Sequence, residues 1–232
     1  MNKKRLLCLS VIFVIIEITL GIIAQTHIGN KWTNYLAVIL ACLFLILFAE
    51  KSTSYVFTQI GLIFTVVADY FLVYLNPQNK LLGVIFFILV QFAYFLRLAF
   101  EEKNHIVLKI HLITRFVFPI PVLIITYLVL GNSSDILAFV SVFYFTNLFL
   151  NIVFSIAGSS KSIFFALGLI CFILCDLVVG FANLETYFNI SQTSIIYMIL
   201  HSDLDLVWFF YIPSQTLLAL SLMPDDKKIK RV

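Results

Sequence analysis

The chain has 232 residues, 62% of them hydrophobic and only 12% charged, with a mean hydropathy of +1.08. So much apolar surface excludes a water-soluble fold and leaves no room for a large soluble domain. Residues 1–232 are therefore expected to form one polytopic membrane domain. The formal charge of +3 is small and lies mostly at the chain ends, which argues against a nucleic-acid partner.

Lys3-Lys4-Arg5 followed by apolar residues resembles a signal peptide, but no small-x-small cleavage site follows. The apolar run continues to residue 24, long enough to span, so a retained first helix is expected, with Glu17 near its middle. Further runs cover residues 32–48, 55–75, 81–100, 106–130, 136–155, 163–184 and 204–223. Each approaches the ~20 residues that cross a bilayer. Gly29-Asn30-Lys31, Asn76-Pro77-Gln78-Asn79, Gly131-Asn132-Ser133-Ser134 and Gly158-Ser159-Ser160 separate them as turns. The longest link is residues 186–202, and its apolar part, 195–200, suits a short interfacial helix. The fold class is thus all-α, a bundle of about eight transmembrane helices.

Eight spans put both chain ends on one side, and the basic residues agree. Lys3, Lys4, Arg5, Lys51, Lys103, Lys109, Lys161, Lys227, Lys228, Lys230 and Arg231 fall on the N-terminal side, whereas Lys31 and Lys80 fall opposite. By the positive-inside rule both termini are cytoplasmic, in a multi-pass protein of the cell membrane.

The third and seventh runs each carry a buried-looking acid, Asp69 and Asp176. An ionisable group at membrane depth costs a few kcal/mol or more, so it is paired, wetted or used. Asp69 lies fourteen residues past Tyr55 and Asp176 thirteen past Ile163. At 1.5 Å per residue both sit roughly 20 Å above the cytoplasmic edge. Gln91, Tyr94, Tyr211 and Gln215, on helices running the other way, reach similar depths and are expected to converge with the acids on one cavity. Glu17 is either a third member of that site or the partner of Arg115.

The bland alternative makes each aspartate the structural partner of an arginine, Arg97 or Arg115, although both sit nearer the cytoplasmic side. Asn147 and Asn151, four apart, suit interhelical hydrogen bonding. His105 and His111 are expected to contact headgroups rather than metal. His201, Asp203 and Asp205 lie at the outer mouth, where they either guide a headgroup or cap a helix N-terminus. Pro119 and Pro121 should kink the fifth run. Cys8, Cys42, Cys171 and Cys175 read as small buried hydrophobes. No nucleophile elbow, zinc helix or phosphate loop occurs, and no cofactor or metal is expected.

Four short segments resemble the YhhN-type lysoplasmalogenase family: Ala68-Asp69-Tyr70-Phe71-Leu72, the stretch from Phe86 to Tyr94 containing Gln91, Phe172-Ile173-Leu174-Cys175-Asp176, and Tyr211-Ile212-Pro213-Ser214-Gln215. Departures from the family pattern are Ala68 for Gly, Gln91 for His and Cys175 for Ser. The resemblance implies hydrolysis of the vinyl-ether bond of a lysophospholipid substrate to a fatty aldehyde and a glycerophospho-headgroup. Asp69 and Asp176 would be catalytic, and Gln91, Tyr94, Tyr211, Gln215 and Glu17 would bind substrate, with the headgroup towards the outer mouth. Two carboxyls in a low-dielectric site do not both ionise readily, so one keeps a proton to donate while the other positions water. A proton-coupled transporter or lipid flippase is the competing reading, since intramembrane acids also serve proton relays. A non-catalytic scaffold with structural acids is a third.

Overall fold

The computed structural model describes residues 3–26, 30–75, 79–160, 162–185 and 187–223. Lys161, Lys227, Lys228, Lys230 and Arg231 of the charge argument, and link residues 29, 76–78 and 186, lie outside the described residues.

The described elements are helical, with no strand among them. In chain order they are α1 (Lys3–Ala24), α2 (Lys31–Phe48), α3 (Thr53–Asp69), α4 (Lys80–Glu101), α5 (His105–Val117), α6 (Pro119–Leu130), α7 (Ile136–Phe154), α8 (Ile163–Leu184), α9 (Ile195–Leu200) and α10 (Leu206–Leu220). Local capping sets several starts. The Asn30 side chain accepts the Trp32 and Thr33 N–H groups, Ser52 accepts that of Tyr55, Asn104 that of Ile106, and Asp135 that of Ala138. Each cap satisfies N–H groups that have no partner within the helix.

Among the described residues, seven helical stretches are long and apolar enough to cross a membrane, with α5 and α6 together counting as one. The expected eighth span, residues 204–223, is shorter than foreseen. Asp205 caps the Trp208 N–H and the chain turns at Ser221, so α10 has 15 residues. At 1.5 Å per residue that is about 22 Å, less than the ~30 Å hydrocarbon core. The break between α5 and α6 falls at Phe118, as the prolines foretold. Pro119 and Pro121 carry no N–H, so the carbonyls four residues before each lose their helical donors.

Six helices close into a ring: α2 packs on α3, α3 on α4, α4 on α7, α7 on α8, α8 on α10, and α10 back on α2. Outside it, α1 lies against α2 and α10, the α5–α6 pair leans chiefly on α7, and α9 rests on α8. Two glycines, with Gly83 against Leu72 (2.5 Å from an added Cβ), permit close approaches. A Cβ on Gly61 would stand 2.3 Å from the Tyr94 ring, and one on Gly168 would stand 2.9 Å from the Leu218 side chain and 3.1 Å from its backbone nitrogen. The α3–α4 and α8–α10 seams are tight for that reason, as small residues allow in membrane bundles.

Candidate functional site

Asp69 ends the α-helical part of α3 on its buried face, one turn beyond Thr65 and two beyond Leu62 and Gly61. A π-helical turn, Tyr70–Tyr74, follows immediately, so the backbone register changes at the acid itself. Such turns recur at functional sites. Asp69 is 4% exposed, and its two oxygens share the Tyr211 hydroxyl, which donates at 2.9 and 2.8 Å.

Asp176 lies on α8 at the edge of the buried stripe Phe165, Leu169, Phe172 and Cys175. Its Oδ2 accepts a short hydrogen bond from the Tyr144 hydroxyl of α7. The two Tyr–Asp pairs are joined by a row of contacting rings. Tyr211 meets Phe172 edge-on at 5.6 Å, Phe172 meets Phe87 at 5.6 Å, and Phe87 lies 5.5 Å from Tyr144. One aromatic row thus crosses α10, α8, α4 and α7, with Asp69 of α3 bonded at one end and Asp176 of α8 at the other. Neither aspartate pairs with an arginine; each is held by a tyrosine.

The other expected site residues divide. Gln215 lies one turn from Tyr211 on α10; it is buried, and neither amide atom has a hydrogen-bond partner. Tyr94, on α4, is fully buried, with its hydroxyl near Thr65 but unbonded. Both leave buried polar atoms without a protein partner, Tyr94 packing against Gly61 two turns before Asp69 and Gln215 lying one turn beyond Tyr211. Glu17 is not brought to this site by any hydrogen bond. It lies on α1, outside the ring, with both oxygens buried and unpartnered, and it is not bonded to Arg115.

Gln91 departs most from expectation. Its side-chain oxygen and its backbone carbonyl accept from Asn151 at 3.0 and 2.9 Å. Asn151 in turn accepts a short bond from Arg115, whose guanidinium also donates to Asn147 at 2.8 Å and meets His111 Nε2 at 3.0 Å. Gln91 therefore belongs to an arginine network on the α4–α7 seam, because α7 rather than α3 covers that face of α4. His111 is not at a headgroup surface: it is fully buried, stacked 3.7 Å from Phe154. Arg97 is satisfied separately by Glu101 at 3.1 Å, Thr58 at 2.9 Å and Ser221 at 2.6 Å, and its guanidinium lies 3.9 Å over Phe165. Asp205 serves as the cap of α10. The Tyr197 and His201 rings stack at 3.9 Å.

Tyr144 was missed. One signal for it existed: Tyr144, Asn147 and Asn151 recur at i, i+3 and i+7, a polar stripe on a mostly apolar helix.

A family model described as the YhhN family matches residues 31–222, a stretch that contains all six ring helices, both Tyr–Asp pairs and Arg115 but not Glu17. No curated protein and no solved structure matches the chain.

Proposed function

The chain belongs to the YhhN family, and from that premise we propose that it is a membrane hydrolase acting on the vinyl-ether bond of lysoplasmalogens. The support is the linkage of two tyrosine-held aspartates on distant helices through one row of contacting aromatic rings.

Vinyl-ether hydrolysis begins with proton transfer to the β-carbon, which leaves an oxocarbenium ion. Water then adds to the carbon bonded to oxygen, and the hemiacetal collapses to aldehyde and alcohol. One water is consumed and the catalytic proton is returned. A protonated aspartate supplies the first proton, and its ionised neighbour stabilises the cation and takes a proton from water. Tyr211 and Tyr144 are positioning residues that fix the carboxyl groups by donating to them. In this reading the unbonded Gln215 amide and Tyr94 hydroxyl, both buried without a protein partner, would bind the water or a glycerol oxygen. A shallow apolar groove of about 220 Å³ runs between α2 and α3, lined by Ile39, Cys42, Leu43, Ile63, Val66 and Val67. It offers alkyl-compatible surface one turn from Asp69.

The test is aldehyde release by purified protein in nanodiscs. A lysoplasmalogen should be cleaved, and the matching saturated alkyl ether, which has no double bond to protonate, should not. Absence of aldehyde would reject the proposal, and pH-gradient-driven uptake in proteoliposomes without aldehyde would favour the transporter reading instead.

A further inference from the structure

The α5–α6 pair is held unusually. Along α5 the only buried residues are His111 and Arg115, and along α6 only Pro119. On α5 these polar side chains face protein and the apolar ones face lipid, so polar contacts rather than apolar packing hold it to the bundle. Arg115 reaches into the seam between α4 and α7, at the side-chain oxygens of Asn147 and Asn151, with its guanidinium 4.3 Å over the Phe95 ring. Among the described residues it forms no ion pair.

The cluster also has spare donors. Arginine only donates, so the contact from its Nη2 makes His111 Nε2 an acceptor and puts the ring proton on Nδ1. That Nδ1 is buried and unpartnered, as are Arg115 Nε and Gln91 Nε2. A buried cation with three unused N–H groups around it and no carboxylate bonded to it matches an oxyanion. The same stripe of α7 carries Tyr144, bonded to Asp176, so the cluster begins about 5–10 Å from the aspartate pair along the helix axis. In a lysophospholipid, six bonds separate the ether carbon from phosphorus, roughly 7 Å for bonds near 1.5 Å.

We propose that the Arg115–Gln91–Asn151–His111 cluster between α4, α5 and α7 is the subsite for the phosphodiester group of the lysolipid. The identity of the lipid rests on the hydrolase reading; the oxyanion chemistry does not. This places the phosphate on the cytoplasmic side of the aspartates by the charge-derived orientation, opposite to the expected headgroup position at the outer mouth. It also gives the Gln91 position a role in binding rather than in proton transfer.

The experiment measures binding, not turnover. Purified protein in nanodiscs is titrated with an uncleavable 1-O-alkyl lysophosphatidylethanolamine, with the 1-O-alkylglycerol lacking phosphate, and with inorganic phosphate. The wild type should bind the lysophospholipid about ten- to a hundredfold more tightly than the alkylglycerol, as one or two charge-assisted hydrogen bonds allow. Arg115→Gln should abolish that preference and leave alkylglycerol binding intact. Equal binding of the two lipids by wild type overturns the subsite. So does an Arg115→Gln protein that keeps the preference or weakens both lipids alike. Should Arg115→Gln not fold, Arg115→Lys, which keeps the charge but loses the fork, should retain a reduced preference; an unreduced one overturns the proposal. Arg115-dependent binding of inorganic phosphate with no gain from the chain would keep the anion chemistry and overturn its assignment to a lipid. Binding as expected without aldehyde release would leave the subsite standing and remove the reaction.

Discussion

Tyr211 and Asp69 stand 142 positions apart in the chain, yet one hydroxyl serves both oxygens of the carboxyl group at 2.9 and 2.8 Å. Tyr144 does the same for one oxygen of Asp176. The ring of helices therefore presents two acids with matched supports, on one aromatic row. Their chemistry and their packing are separable by substitution.

Asp69→Asn and Asp176→Asn keep the shape and the acceptor oxygen for each tyrosine but remove the exchangeable acid. Each should lower aldehyde release by about 10²–10⁴-fold, the usual range for a general acid or base. The thermal midpoint in detergent should change little. Wild-type turnover in either variant removes that residue from the chemistry.

Tyr144→Phe and Tyr211→Phe test positioning. Each deletes one hydrogen-bond donor and leaves a buried carboxyl short of a partner, a loss of about 1–3 kcal/mol. Turnover number should fall about tenfold or more, with a smaller change in KM, in steady-state assays of the folded variants. A loss confined to KM would place the tyrosine against substrate instead.

The tight seams are open to a steric probe. Gly61→Ala puts a methyl group 2.3 Å from the Tyr94 ring, and Gly168→Ala puts one 3.1 Å from the Leu218 backbone nitrogen. Overpacking of this kind costs about 1–3 kcal/mol. Both should lower the thermal midpoint, whereas Gly21→Ala, with nothing within 4 Å, should not.

Glu17 has two buried oxygens without partners. Glu17→Leu removes that polar burden and should raise the thermal midpoint, by an amount equivalent to about 1–3 kcal/mol. A lower midpoint would mean that the carboxyl is satisfied by something bound to the protein.

Much of this molecule is legible along the chain, and the reason is local. Hydropathy over twenty residues reports the solvent, so the spans, their short links and the α5–α6 break at Pro119 follow from composition and backbone chemistry. Asp69 and Asp176 stand out because an acid in hydrocarbon is costly wherever its helix lies. Depth follows from counting residues at a fixed rise, which is why Tyr211 could be matched to the level of Asp69.

Lateral arrangement is another matter. Between helices already in lipid, no hydrophobic force selects neighbours; small residues and a few hydrogen bonds do. Which face of α4 meets α3 and which meets α7 depends on Gly61, Tyr94 and Asn151 together, so Gln91 could be given a depth but not a partner. Tyr144 was hidden among ten tyrosines until α7 turned it towards Asp176. The extent of α10 depended on a single cap, Asp205. The one-dimensional pattern thus set the medium, the spans and the heights of the acids, and only the closed ring decided which side chains meet, because helix neighbours are chosen by contacts between residues far apart in the chain.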